Sequence, residues 1–132
     1  NAMKEVKGNG QRKMVVFSDP HCPYCKRLEQ TLQQLDNVTI YTFLYPLKSN
    51  SMATSQQIWC DSQPVQAWKN WMLHNRQPTV KGTCSTPLQA NLDLGTALNV
   101  SGTPSMIFEN GYLLIGAQPL ESIEKMLEMS AK

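Results

Sequence analysis

Long hydrophobic runs are missing from this chain of 132 residues, and none approaches the length needed to span a membrane. No signal peptide is visible either. An excess of one charge is also lacking: 12 Lys and Arg stand against 10 Asp and Glu, a net charge of +2. The basic residues are scattered apart from small pairs such as Arg12-Lys13 and Lys26-Arg27, so nothing supports nucleic acid as a partner. There are only two histidines, His21 and His74, and nothing in the pattern places them as ligands. A second closely spaced cysteine pair is absent, because Cys60 and Cys84 lie far apart; this argues against a two-knuckle zinc site. Internal repeats and low-complexity tracts are missing, and the length suits one domain with a substantial core.

What the chain does have is Cys22-Pro23-Tyr24-Cys25. Two cysteines separated by two residues, after a strand-like run and at the start of a helix-like run, read as a dithiol/disulfide redox centre. Leu28, Leu32 and Leu35 recur at helical spacing, and Cys25 falls on the same apolar face. Cys25 is therefore expected to be buried. Cys22 lies at the helix N-terminus and is expected to be exposed, where the dipole and free N–H groups favour a thiolate. Pro23 suits the first helical position, which needs no backbone N–H. Cys60 and Cys84 stand apart from this pair. A disulfide between them would staple an insertion, contributing roughly 3 kcal/mol and requiring an oxidising compartment. The alternative is two buried free thiols.

The patterning predicts the order β-α-β, a helical insertion over about 48–99, then β-β-α. Lys13 to Ser18 reads as the first, central strand and Cys22 to about Asp36 as the first helix, broken at Asn37. Val38 to Tyr45 reads as the second strand by its β-branched and aromatic content. Ser51 to Asp61, Pro64 to His74 and Pro87 to Leu98 read as helices, with Trp59, Trp68, Trp71 and Met72 packing the insertion. Gly95 is tolerable in the third of these but weakens it. Ser105 to Glu109 and Tyr112 to Gly116 read as a hairpin turning at Asn110-Gly111. A last helix follows Pro119, with Leu120, Ile123 and Leu127 facing the core. Residues 1–12 read as a tag remnant and linker (Asn1-Ala2 resembling a cloning scar), leaving 13–132 as the domain.

This order, with Cys-x-x-Cys after the first strand and Thr103-Pro104 before the third, is similar to the thioredoxin fold, an α/β class. Val16-Phe17-Ser18-Asp19-Pro20-His21-Cys22-Pro23-Tyr24-Cys25-Lys26 resembles the active-site segment of the bacterial DsbC/DsbG disulfide isomerase family. Ile58-Trp59-Cys60 resembles the family's insertion helix with its structural half-cystine. Val100-Ser101-Gly102-Thr103-Pro104, with Asn110-Gly111 and Gly116-Ala117-Gln118-Pro119 beyond it, resembles the DsbC cis-proline loop and closing hairpin. Two departures stand out. Val16 takes the position where many thioredoxin-like proteins carry a buried acid, so no carboxylate base is expected beneath Cys25. Pro23-Tyr24 matches the DsbG branch, whereas the Cys60/Cys84 pair points to DsbC.

The resemblance implies a periplasmic disulfide isomerase or reductase. The Cys22 thiolate attacks a client disulfide, and a client thiol or Cys25 resolves the mixed disulfide. It implies that Pro104 is cis and lies against the pair, with His21, Pro23, Tyr24, Thr103 and Pro104 supporting the site or contacting the client. Its partners would be misfolded or disulfide-bonded clients and a membrane-bound thiol reductase of the DsbD type. A homodimer would form through an N-terminal domain outside these residues. No metal, flavin or nucleotide is expected. The rivals are a DsbG-like reductase of oxidised single cysteines and, in a different class, a metal-binding or delivery module using Cys22 and Cys25. A DsbA-like oxidant fits less well with Thr103 before Pro104 and the short helical insertion.

Overall fold

A computed structural model describes residues 1–131. Its centre is a five-stranded sheet in the order β1-β3-β2-β4-β5. The apolar run at Arg12–Ser18 forms β2 and takes the middle of the sheet. It runs parallel to β3 (Val38–Leu44) and antiparallel to β4 (Ser105–Phe108). β5 (Leu113–Ile115) closes one edge against β4. The turn between these two strands places Gly111 at φ +84°, and the Gly111 N–H donates to the Phe108 carbonyl. This loop is wider than the two-residue hairpin expected from Asn110-Gly111.

The other edge corrects the sequence reading. Residues Met3–Lys7 were expected in a linker, but they form strand β1, antiparallel to β3. The strand escapes sequence detection because its inward face is mostly polar. Met3 is buried, but Glu5 pairs with Lys69 at 2.7 Å, and the Lys7 Nζ donates to the Leu32 carbonyl at 2.8 Å. Gly8 and Gly10, both at positive φ, then fold the chain back into β2.

Side chains alternate across β2 and sort the core into layers. Met14 and Val16 face α1 (Pro23–Leu32) and α5 (Leu120–Ser130), where Leu28, Leu32, Ile123 and Leu127 cover them. On the opposite face, Val15 and Phe17 pack with Phe43, Tyr45 and Val100, and with Leu92 from α4 (Leu88–Ala97). Helix α1 ends at Leu32 rather than Asp36, but Leu35 is still buried, so the apolar face outlasts the helix. The insertion supplies α2 (Ser51–Cys60), α3 (Pro64–His74) and α4, and its tryptophans pack as expected. A disulfide joins Cys60 to Cys84 with their Cα atoms 5.7 Å apart, tying the end of α2 to the loop before α4. No helix among the described residues is long and apolar enough to cross a membrane.

Candidate active site

The site forms where the C-terminal end of β2 meets the start of α1. Cys22 is the N-cap residue, with extended backbone angles, and Pro23 takes the first helical turn. Both cysteines are free thiols in the structure. Cys25 is fully buried on the apolar side of α1, as its spacing predicts. Cys22 was expected to be exposed, yet it is only 4% exposed. The reason is tertiary: the Thr103-Pro104 loop, 81 residues away in sequence, folds over it. The Thr103-Pro104 peptide bond is cis, and the Cys22 thiol donates to the Thr103 carbonyl across 3.6 Å. Both cysteines belong to the core cluster of Leu44, Ile58, Ala67, Trp68, Met72 and Leu88, so the insertion walls one side of the pair.

Burial disfavours the charged form of Cys25. Desolvation pushes the Cys25 thiol up to about 12, against the opposing pull of Ser18, the Asp19 N–H and Thr103. The Asp19 N–H reaches the Cys25 sulfur at 3.4 Å. Cys22 instead caps the start of α1 under the Thr103 carbonyl.

The remaining expected site residues surround this pair. The His21 N–H donates to Asp19 Oδ1 at 2.9 Å, and its Nε2 shares a 2.7 Å hydrogen bond with Thr54 Oγ1 on α2. Its ring meets the edge of Trp71, whose Nε1 donates to the Pro20 carbonyl at 2.7 Å. His21 is thus anchored to the insertion. Lys26 lies 4.1 Å above the Trp71 ring. Tyr24 is 57% exposed beside the guanidinium of Arg27, so an aromatic face is open to solvent between the two cysteines in sequence. Among the described residues, no group of three or more His, Cys, Asp or Glu side chains converges to hold a metal ion.

Val16 is buried and offers no carboxylate beneath Cys25, but two carboxyl groups on the segments flanking the pair, Asp19 and Glu29, are buried. Asp19 follows β2 directly. Glu29 is one helical turn beyond Cys25 on the same face, and that spacing was a usable signal. Desolvation raises the Glu29 carboxyl to about 7; Glu5 adds to this, and Trp68, Lys69 and Lys7 oppose it.

Comparison with known proteins agrees with this geometry. A family model described as a thioredoxin-like domain matches residues 1–131. The chain is 45% identical over 127 residues to a probable thiol:disulfide interchange protein DsbC of Bordetella parapertussis, covering 96% of this chain and 45% of that protein. It is 27% identical over 124 residues to the thiol:disulfide interchange protein DsbC of Escherichia coli K12, covering 90% and 52%. The chain thus spans about half the length of the curated relatives it matches. Among solved structures, the disulfide interchange protein of Neisseria gonorrhoeae superposes with a TM-score of 0.93 at 34% identity, covering 99% of this chain and 96% of that one. With the fold, the Cys22/Cys25 pair and the matches in agreement over nearly its whole length, the chain belongs to the thioredoxin-like domain family, as a DsbC-like domain.

Proposed function

We propose that this chain is the catalytic part of a periplasmic thiol-disulfide oxidoreductase that isomerises or reduces disulfides in client proteins. The observation that carries the reading is the asymmetry of the pair: Cys22 caps α1 beneath the Thr103 carbonyl, and Cys25 is sealed behind it. The Cys22 thiolate attacks a client disulfide, forming a Cys22–client bond and releasing one client thiol. A second client thiol then displaces Cys22 with a new pairing, or Cys25 displaces the client and leaves it reduced. The backbone beside Thr103 receives the client as an extended segment, and Tyr24 extends that contact surface. The Cys60–Cys84 bond supports an oxidising compartment. Turnover needs reduced Cys22, hence a membrane-bound thiol reductase as electron donor. In the whole protein, two such domains paired as a homodimer would raise the effective concentration around one client. Pro23-Tyr24 keeps a second reading in view, a reductase of oxidised single cysteines.

The test is mixed-disulfide trapping. Cys25→Ser, incubated with a scrambled multi-disulfide protein, should accumulate a covalent complex through Cys22, and Cys22→Ser should not. Absence of any complex with Cys25→Ser would refute the reading.

A further inference from the structure

The Asp19 backbone hydrogen-bonds to both cysteines. Its N–H donates to the Cys25 sulfur at 3.4 Å, and its carbonyl accepts the Cys22 N–H at 3.2 Å. Its side chain is fully buried and surrounded by donors. Oδ1 accepts the His21 N–H at 2.9 Å and the Ser51 hydroxyl; Oδ2 accepts the Leu47 and Lys48 N–H groups at 2.8 and 2.9 Å. Four donors saturate a carboxylate, and none comes from a basic side chain. The carboxylate thereby clamps three pieces of chain together: the turn after β2, the loop after β3 and the first turn of α2.

Holding a loop is a structural task that many buried polar groups perform. Here the clamped peptide is the one aimed at the resolving sulfur. We propose that Asp19 is a positioning residue for the second chemical step, holding its own N–H on Cys25 so that the thiolate is stabilised as it forms. The proposal rests on the redox reading above. In that step the Cys25 thiolate attacks the Cys22 sulfur of a mixed disulfide. The Cys22–Cys25 bond forms and the Cys22–client bond breaks. The client sulfur leaves with the electron pair and takes up a proton, the one Cys25 gave to solvent. The client cysteine is reduced and the pair oxidised. A donor fixed on Cys25 matters most in this step, because burial opposes formation of that thiolate. The first step depends on the helix N-terminus and on Thr103, which the Asp19 carboxylate does not touch.

Reaction of the reduced protein with dithiodipyridine separates the steps. Attack by Cys22 releases one thiopyridone, and resolution by Cys25 releases a second. In Asp19→Asn the amide turns a donor toward donors, so the clamp opens. The second phase should slow by about tenfold or more, the scale of a hydrogen bond to a charged group, while the first changes by less than about threefold. Ser51→Ala removes one donor from the same carboxylate and should slow the second phase in the same direction by a smaller factor, even if Asp19→Asn folds poorly. Ile123→Val, a destabilised core variant remote from the site, should leave both phases unchanged. Equal slowing of both phases in Asp19→Asn and Ser51→Ala, or no change in either, would overturn the proposal. A wild-type protein with no second phase, indistinguishable from Cys25→Ser, would overturn the redox reading itself and the proposal with it.

Discussion

Replacing Gly95 with alanine sets local and tertiary physics against each other. Within α4, helix propensity alone says that Gly95→Ala should stabilise by about 1 kcal/mol. The structure says the opposite. The added Cβ would collide with the ring and hydroxyl of Tyr45, which lie against Gly95. Tyr45 cannot move freely. It is buried, its ring meets Phe17 edge-on at 5.3 Å, and its hydroxyl donates to the Val100 carbonyl at 2.8 Å. Nor can the helix simply retreat, because the Gly95 carbonyl accepts the Val100 N–H at 2.8 Å. Overpacking of this kind costs about 1–3 kcal/mol, and breaking the buried Tyr45 bond adds about 1 kcal/mol or more. Set against the propensity gain, the net loss is about 2 kcal/mol, or roughly 7 °C in melting temperature for a chain of this length. Urea unfolding followed by circular dichroism would report it as a lower midpoint with unchanged slope. The double variant Gly95→Ala/Tyr45→Phe should lose less than the sum of its single variants, since the Tyr45–Val100 bond can be lost only once and the untethered ring, whose Cε1 and Cζ still meet the methyl, is freer to shift. A Gly95→Ala protein as stable as the parent, or more so, would refute the reasoning.

Removing the Cys60–Cys84 bond with the double change Cys60→Ser/Cys84→Ser should lower stability by about 3.5 kcal/mol, from a closed loop with a sequence separation of 24; an unchanged urea midpoint would count against it. Glu29 is protonated more readily folded than unfolded, so its contribution is present below pH 4.5 and lost as pH rises through about 7. Glu29→Gln should therefore leave stability nearly unchanged at low pH and raise it by about 2–3 kcal/mol near pH 8, and a difference that does not vary with pH would contradict this. In the fully reduced protein at neutral pH, iodoacetamide should modify Cys22 at least about a hundredfold faster than Cys25, which is sealed and has its thiol pushed up to about 12; peptide mapping by mass reads the order.

Much of this protein is legible in one dimension because its elements are set by local periodicity. The β-branched and aromatic content of β3, the helical spacing of Cys25, Leu28 and Leu32, and Pro64 opening α3 each express a rule acting over a few residues. The redox pair belongs to the same category, since Cys22 and Cys25 are neighbours on one helical turn. Strand β1 was not legible, because Glu5 and Lys7 face inward toward partners that lie far away in sequence, and a charged strand has no apolar alternation to read. Cys22 was misread as exposed for the same reason: the carbonyl that covers it belongs to Thr103. The sequence reading gave Asp19 no role of its own, and only the return of the Leu47-Lys48 loop and of Ser51 shows that its carboxylate is saturated. Local sequence thus determined the elements and the identity of the reactive pair. Tertiary structure decided what buries each sulfur and how the turn before them is held, because those properties depend on groups that the chain brings together only when it folds.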